Sequence, residues 1–282
     1  MNQRKPLKEL NLLDKFLFDE AMDDPENVKT MLDIILSQNT NLKHPPQTEK
    51  EQRTSTDNRQ IRLDVYAIDE DDVIYEVEAQ KENTHNLPKR SRLYQGIIDS
   101  KLLPPGVVDF NLLNEILIVM ITPFDLFGYG LYRYTFQMRC EEVPELKLDD
   151  GATRIFLNTR GKHPELVSPE LIELLKYMEH STDEVLGACK SKRIHEMHRR
   201  ICQIKASEKT EVKYMQSWEE KILIKQEGIA EGRKLGYEEG EKELLKNLVR
   251  KKLAKNISTE QIAEMLEIDI SEVENIIKEL AK

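Results

Sequence analysis

Two stretches decide the fold: IRLDVYA (61–67) and VIYEVEAQ (73–80). Ile61, Leu63, Val65 and Ala67 alternate with polar or bulkier residues, and so do Val73, Tyr75, Val77 and Ala79. A period of two over six to eight residues predicts a half-buried strand, and the acidic run Asp69 to Asp72 between them predicts a turn. Apolar faces in a hairpin must coincide, because a slip of one residue turns a whole side-chain set the wrong way. That condition pairs Val65 with Val77, Leu63 with Ala79 and Ala67 with Tyr75. The same register sets Asp64 opposite Glu78 and Arg62 opposite Gln80, and it requires a loop of odd length. Two carboxylates directly opposed destabilise a sheet unless a cation lies between them. Mg²⁺ is commonly held by one or two carboxylates and their waters, so Asp64 and Glu78 are candidate metal ligands. Gln80 shares their expected face and can position a water or a phosphate oxygen. A solvated outer face of the hairpin is the competing reading.

Outward from the hairpin, Leu13, Phe16, Leu17 and Ala21 have helical spacing. A second helix is expected to open with Asp24 as N-cap and Pro25 at its first position. Gln38 to Gln60 is polar, contains Pro45 and Pro46, and reads as a loop. Beyond the hairpin a helix is expected from about Leu87. EILIVMI (115–121) has the continuous apolar pattern of a strand buried on both faces, and LYRYTFQM (131–138) and TRIFLN (153–158) read as further strands. The step from 73–80 to 115–121 should be a right-handed parallel crossover. The fold class is therefore α/β, a mixed sheet flanked by helices, followed by an all-helical C-terminal region.

Four segments are expected: a domain over 1–165, a helical extension over 166–226, a glycine-spaced helical linker over 227–256, and a short helical pair over 257–282. Gly228, Gly232, Gly236 and Gly240 recur every four residues. In a helix they would form a small-residue stripe, at about 1 kcal/mol each relative to alanine. The closing helices should each open with a capping box, Ser258 with Gln261 and Ser271 with Glu274. They resemble a helix-turn-helix, but Glu272, Glu274 and Glu279 on the second helix oppose phosphate, so a protein–protein role, or dimerisation into a homo-oligomer, is the better expectation.

Composition narrows the classes. The 282 residues carry 42 Lys and Arg against 52 Asp and Glu, a net charge of −10. This argues against a generally basic nucleic-acid binder but not against a local basic surface. Lys192, Arg193, Arg199 and Arg200 are one such cluster. The three cysteines, Cys140, Cys189 and Cys202, lack paired spacing, which suggests reduced thiols in a cytoplasmic protein. No apolar leader segment follows the N-terminus, and no run approaches the roughly 20 apolar residues of a membrane span. His195, His198 and Cys202 lie at i, i+3 and i+7 and could share a zinc-binding helix face; three ligands on a polar helix are more often scattered surface residues.

In LLDKFLFDEAM (12–22), RLDVYAID (62–69), YEVEAQK (75–81), RSRLYQGIIDS (90–100) and IFLNTRG (155–161), together with the glycine-spaced tail, the chain resembles the PD-(D/E)XK nuclease superfamily. Within it the likeness is to the bacterial Rpn-type recombination-promoting nucleases, often labelled transposases. The resemblance implies a restriction-endonuclease-like fold and a cytoplasmic, Mg²⁺- or Mn²⁺-dependent DNA endonuclease acting in recombination, mobile-element biology or defence. It carries the first acidic position onto Asp64 and the (D/E)-x-K motif onto Glu78-Ala79-Gln80, with glutamine in place of lysine. An acidic residue of the N-terminal helix often assists in the family, and Asp14 and Glu20 are the candidates. Arg90, Tyr94 and Gln95 are implied as residues orienting the site. The reading from a different class is a catalytically silent nuclease-fold protein that serves as an interaction module.

Overall fold

The computed structural model describes residues 4–52 and 61–280. Helices α1 (Lys15–Met22) and α2 (Pro25–Leu36) come first. As expected, Asp24 caps α2, its side chain accepting from the Glu26 N–H, with Pro25 just inside the helix. The sheet strands are β1 (Gln47–Gln52), β2 (Ile61–Ile68), β3 (Ile74–Ala79), β4 (Ile116–Thr122), β5 (Arg133–Phe136) and β6 (Ala152–Asn158). Helix α3 (Leu87–Asp99) connects β3 to β4. The six strands lie in the order β1-β2-β3-β4-β6-β5. The β3–β4 and β4–β6 pairs are parallel, and the β1–β2, β2–β3 and β5–β6 pairs are antiparallel. The apolar run 116–122 is thus an interior strand, as its sequence requires.

The hairpin register is the expected one where the strands pair. Val65 faces Val77, Ala67 faces Tyr75 and Ile68 faces Ile74, leaving an odd loop, residues 69–73. Asp69 organises that loop. Its carboxylate accepts from the N–H groups of Asp71 and Val73 and from the Tyr75 hydroxyl at 2.7 Å. Asp72 takes the left-handed conformation that closes the turn.

Three expectations for residues 1–226 need correction. First, the stretch 38–60 contains a strand. QTEKEQ forms β1 at the sheet edge, against β2. Its sequence has no apolar alternation because edge strands are often blunted with charged side chains. Residues 53–60 of the expected loop lie outside the described residues.

Second, the expected apolar face of β2 is not continuous. Val65 and Ala67 pack in one core with Tyr75, Val77 and Ala79. Ile61 and Leu63 pack in the other core with Tyr66, Leu87 and Ile98. The regular pairing with β3 stops at Val65–Val77, so neither Leu63–Ala79 nor Asp64–Glu78 nor Arg62–Gln80 is a ladder pair. Asp64 sits at the change of face. On the neighbouring edge strand Glu49 has a positive φ of 48° and interrupts the β1–β2 ladder between Thr48–Val65 and Lys50–Leu63. A local irregularity of this kind re-aims a side chain out of the alternating pattern.

Third, residue 165 is not a structural boundary. One compact unit runs Met1–Tyr214. Helices α4 (Pro169–Glu179) and α6 (Lys192–Lys205), with the short α5 (Asp183–Gly187) between them, belong to it. Leu171, Leu174, Tyr177, Met178, Ile194, Met197 and Ile201 join α1, α2 and the sheet in a single core. An amphipathic helix must bury its apolar face, and here the sheet supplies the surface.

The second unit, Met215–Lys282, is helical. Helix α7 (Glu208–Leu253) runs 46 residues and includes all four spaced glycines, where an added Cβ would meet only open space. Helices α8 (Thr259–Leu266) and α9 (Ile270–Leu280) pack on the end of α7 around Val249, Ile262, Val273 and Ile276. Ser258 and Gln261 form the expected capping box. The second one does not form: α9 already begins at Ile270, and the Asp269 carboxylate takes the Ser271 N–H. Aspartate is as good an N-cap as serine, and it comes two residues earlier. No helix among the described residues is long and apolar enough to cross a membrane.

Candidate active site

Asp64 and Glu78 are both buried, 4% and 6% exposed. Each meets a cation from a different helix. Lys15 of α1 binds Asp64, and Arg90 of α3 binds Glu78. The α1 and α3 helices contribute to the two opposite cores, so the hairpin end is clamped from both sides. Arg90 also donates to Gln80 Oε1 at 2.9 Å, while the Gln80 amide donates to the Glu82 carbonyl at 2.7 Å. Gln80 is therefore tied to Glu78 through one guanidinium, and its backbone N–H continues the pairing to Ile121. Both bonds leave one nitrogen, Nη2, whose two hydrogens serve the two acceptors.

Two residues that the sequence did not single out complete the cluster. Glu76 is wholly buried on β3, and neither of its oxygens has a hydrogen-bond partner among the described residues. Burial raises its carboxyl well above the usual carboxylate range; Asp64 adds repulsion, and Arg90 and Lys15 oppose it. Asp19, one turn after Lys15 on α1, shares that lysine with Asp64, at 3.1 Å. Burial pushes Asp19 up to about 7, with Lys15 pulling down and Asp64 and Glu49 pushing further up. Lys15 itself is raised: burial lowers it, but Asp64 and Asp19 outweigh burial. The only sequence sign for Asp19 was its i+4 spacing from Lys15, and for Glu76 its i−2 spacing from Glu78 on a strand.

The other expected residues divide. Asp14, at the start of α1, accepts from the Asn11 N–H at 2.9 Å and pairs with Lys5 and Lys81. Burial raises its carboxyl, but Asn11 and Lys81 outweigh that and hold it below the usual range. Lys81 thus turns to α1, away from Arg90. Glu20 pairs with Lys213 at 2.9 Å and has no role at the hairpin. Tyr94 is buried, its ring 5.7 Å from the Arg90 guanidinium carbon, and supports that side chain. Gln95 is engaged elsewhere, accepting from Arg154 on β6 and bonding Asp99.

A cavity of about 380 Å³ lies beside Arg90, lined by Arg62, Asn86, Lys89 and Tyr94. Of the four basic residues expected to cluster on α6, Arg193 and Arg200 are spent internally, whereas Lys192 and Arg199 are exposed. Arg193 pairs with Glu170 and Asp33, and Arg200 with Asn27 and Asp24. The expected His195–His198–Cys202 face is also not assembled. His195 Nε2 contacts the Cys189 carbonyl at 3.0 Å, whereas His198 and Cys202 meet Asp183.

The hairpin residues fit a hard divalent cation. The donors are carboxylate oxygens, and Glu78 Oε2 and both Glu76 oxygens are buried with no partner among the described residues. Unsatisfied buried carboxylate oxygens are costly, and an ion or its waters would satisfy them. No protein-family model matches this chain, and no curated protein matches it.

Proposed function

We propose that the chain is a Mg²⁺- or Mn²⁺-dependent DNA endonuclease that hydrolyses phosphodiester bonds at the hairpin site. The observation that carries this reading is the set of buried, partner-poor carboxylate oxygens of Glu76 and Glu78 beside Asp64, with Arg90 joining Glu78 to the wall of a cation-lined cavity. The resemblance to Rpn-type PD-(D/E)XK nucleases implies Asp64 and Glu78 as the acidic positions. Asp64 and Glu78 hold the metal, which supplies a polarised phosphoryl oxygen and a water of lowered pKa. Arg90 keeps Glu78 and Gln80 in one orientation, and Gln80 positions the attacking water or a phosphate oxygen. Asp19, titrating near neutral pH, exchanges a proton at its carboxylate oxygen, since a catalytic acid–base group works best near the operating pH. Arg62 and Lys89 meet the DNA backbone at the cavity, which lets a protein of net charge −10 accept a polyanion locally. The biological setting that follows is recombination, mobile-element movement or defence.

Nicking of supercoiled plasmid by the purified full-length chain tests this. Cleavage should require Mg²⁺ or Mn²⁺ and fall on the order of 1000-fold in Asp64→Ala, the loss of several kcal/mol of metal-borne transition-state stabilisation. Cleavage that survives both metal removal and the substitution would sink the assignment. One observation favours a second reading. Lys15 and Arg90 already neutralise Asp64 and Glu78 without a metal, as a catalytically silent interaction module would require. Absence of cleavage with any nucleic acid and any divalent ion would select it.

A further inference from the structure

Asp183 is the first residue of α5, and His198 and Cys202 lie four apart on one face of α6. One ligand atom from each, a carboxylate oxygen, His198 Nε2 and Cys202 Sγ, all lie within 4.8 Å of one another. His198 Nε2 is 2.9 Å from Asp183 Oδ1 and 3.1 Å from Cys202 Sγ. A neutral imidazole nitrogen carries a proton or a lone pair, not both. If Nε2 donates to Asp183, it has no lone pair for the thiol hydrogen. If it accepts from Cys202, its lone pair faces a carboxylate. A cation at their common focus satisfies the three atoms together.

The surroundings fit that occupant. His198 Nδ1 is 2.9 Å from the hydroxyl of Tyr177, a residue with no exposed surface, and the two rings pack edge to face. An outer partner on the second ring nitrogen is the usual way a metal-binding histidine is oriented. The His198 side chain is 12% exposed, so its ring is held by packing as well. Carboxylate and thiolate together neutralise a divalent ion. A mixed oxygen, nitrogen and sulfur set selects zinc-class metals over Mg²⁺. The remaining coordination position opens on a cavity of about 490 Å³ that Lys8, Ser181, Thr182 and Lys205 also line.

We propose that Asp183, His198 and Cys202 bind one zinc-class transition-metal ion through a carboxylate oxygen, Nε2 and Sγ, with the fourth position left to solvent. The site is independent of the hairpin carboxylates and of any nuclease activity. It ties the start of α5 to α6, next to Ser181, whose hydroxyl accepts from the Leu12 N–H ahead of α1.

Cobalt titration of the chelator-stripped, full-length protein tests it. The expected result is one Co²⁺ per chain with tetrahedral visible bands and a thiolate-to-cobalt charge-transfer band, both displaced by Zn²⁺. Cys202→Ser should abolish the charge-transfer band. Tyr177→Phe should keep the band and weaken binding roughly 10- to 100-fold, as loss of an outer-shell partner does. His195→Ala and Cys189→Ser should titrate like the unsubstituted chain, and circular dichroism should show each variant folded. Co²⁺ held by the hairpin oxygens gives no thiolate band and cannot imitate the result. A wild-type titration without that band, a band that persists in Cys202→Ser, or one lost in His195→Ala overturns the proposal.

Discussion

The hairpin carboxylates and the Asp183–His198–Cys202 cluster are both places where polar atoms converge more closely than their own hydrogen bonds require, yet they are built in opposite ways. The hairpin group draws on α1, β2, β3 and α3, is buried, and carries its own counter-charges in Lys15 and Arg90. The helical group comes from twenty consecutive residues, keeps Asp183 and Cys202 exposed, and among the described residues has no cation paired to its acid except through His198. Lys205 on its rim donates to the Ser181 carbonyl instead. The contrast teaches where a metal ion has to compete. At the hairpin a metal ion would have to compete with resident ammonium and guanidinium groups, so binding there should be weak and dependent on concentration. At the helical cluster nothing has to leave but protons, so affinity should be high and should rise with pH.

The comparison breaks most visibly at Arg90. Arg90→Ala leaves Glu78, a carboxylate with a side chain 8% exposed, without its partner. Removing one member of such a pair costs about 3–5 kcal/mol, and the part-exposed guanidinium favours the low end. Denaturant unfolding measures this. Millimolar Mg²⁺ should restore part of the loss, because the ion replaces the missing charge; no rescue by any divalent ion would mean that the pair is only structural. A smaller effect belongs to Glu76. Its folded carboxyl keeps a proton well above the usual range, while the unfolded chain releases it at the usual value. Above the unfolded value the native state therefore binds more protons. Stability falls as pH rises, by up to about 1.4 kcal/mol per pH unit, until Glu76 ionises in the folded state. Glu76→Gln should remove that part of the slope, and Mg²⁺ should flatten it in the unsubstituted chain.

How much of this was legible in the sequence follows from the range of the interactions. Alternation and turn chemistry are local, so the Val65–Val77 register, the interior strand 116–122 and the Asp24 and Ser258 caps could be read directly. Strand β1 could not, because an edge strand of charged residues has no pattern that separates it from a loop. Asp64 was legible as a position but not in its pairing, since β2 changes face between Leu63 and Val65 against its own alternating pattern. Arg90 was reachable through the family resemblance, whereas Lys15 and Glu76 act at the site through tertiary packing alone. In the helical cluster, His198 and Cys202 were legible from i,i+4 spacing. Asp183 was not, because it arrives across the turn between two helices.

The finest distinction is between Asp19 of α1 and Asp14, the residue just before that helix. Asp14 is one of the two family-style candidates, with Glu20, but its carboxyl is depressed by Asn11 and Lys81 and stays ionised across the neutral range. Asp14→Asn should therefore lower stability or rate by the same small factor at every pH from 6 to 9, about 0.2–1 kcal/mol for pairs with the exposed Lys5 and Lys81. Asp19 titrates near 7 and shares Lys15 with Asp64. Its folded value lies above the unfolded one, so its ionisation opposes folding as pH rises toward 7, and Asp19→Asn should relieve that loss. The same substitution should remove the limb of the plasmid-nicking pH profile centred near 7 while leaving the Mg²⁺ requirement intact. Carbon-13 titration of the aspartate carboxyls checks the assignment without relying on activity. A midpoint for Asp19 in the ordinary carboxylate range, or a profile altered by Asp14→Asn instead, would hand the proton-transfer role back to the residue the family pattern first suggested.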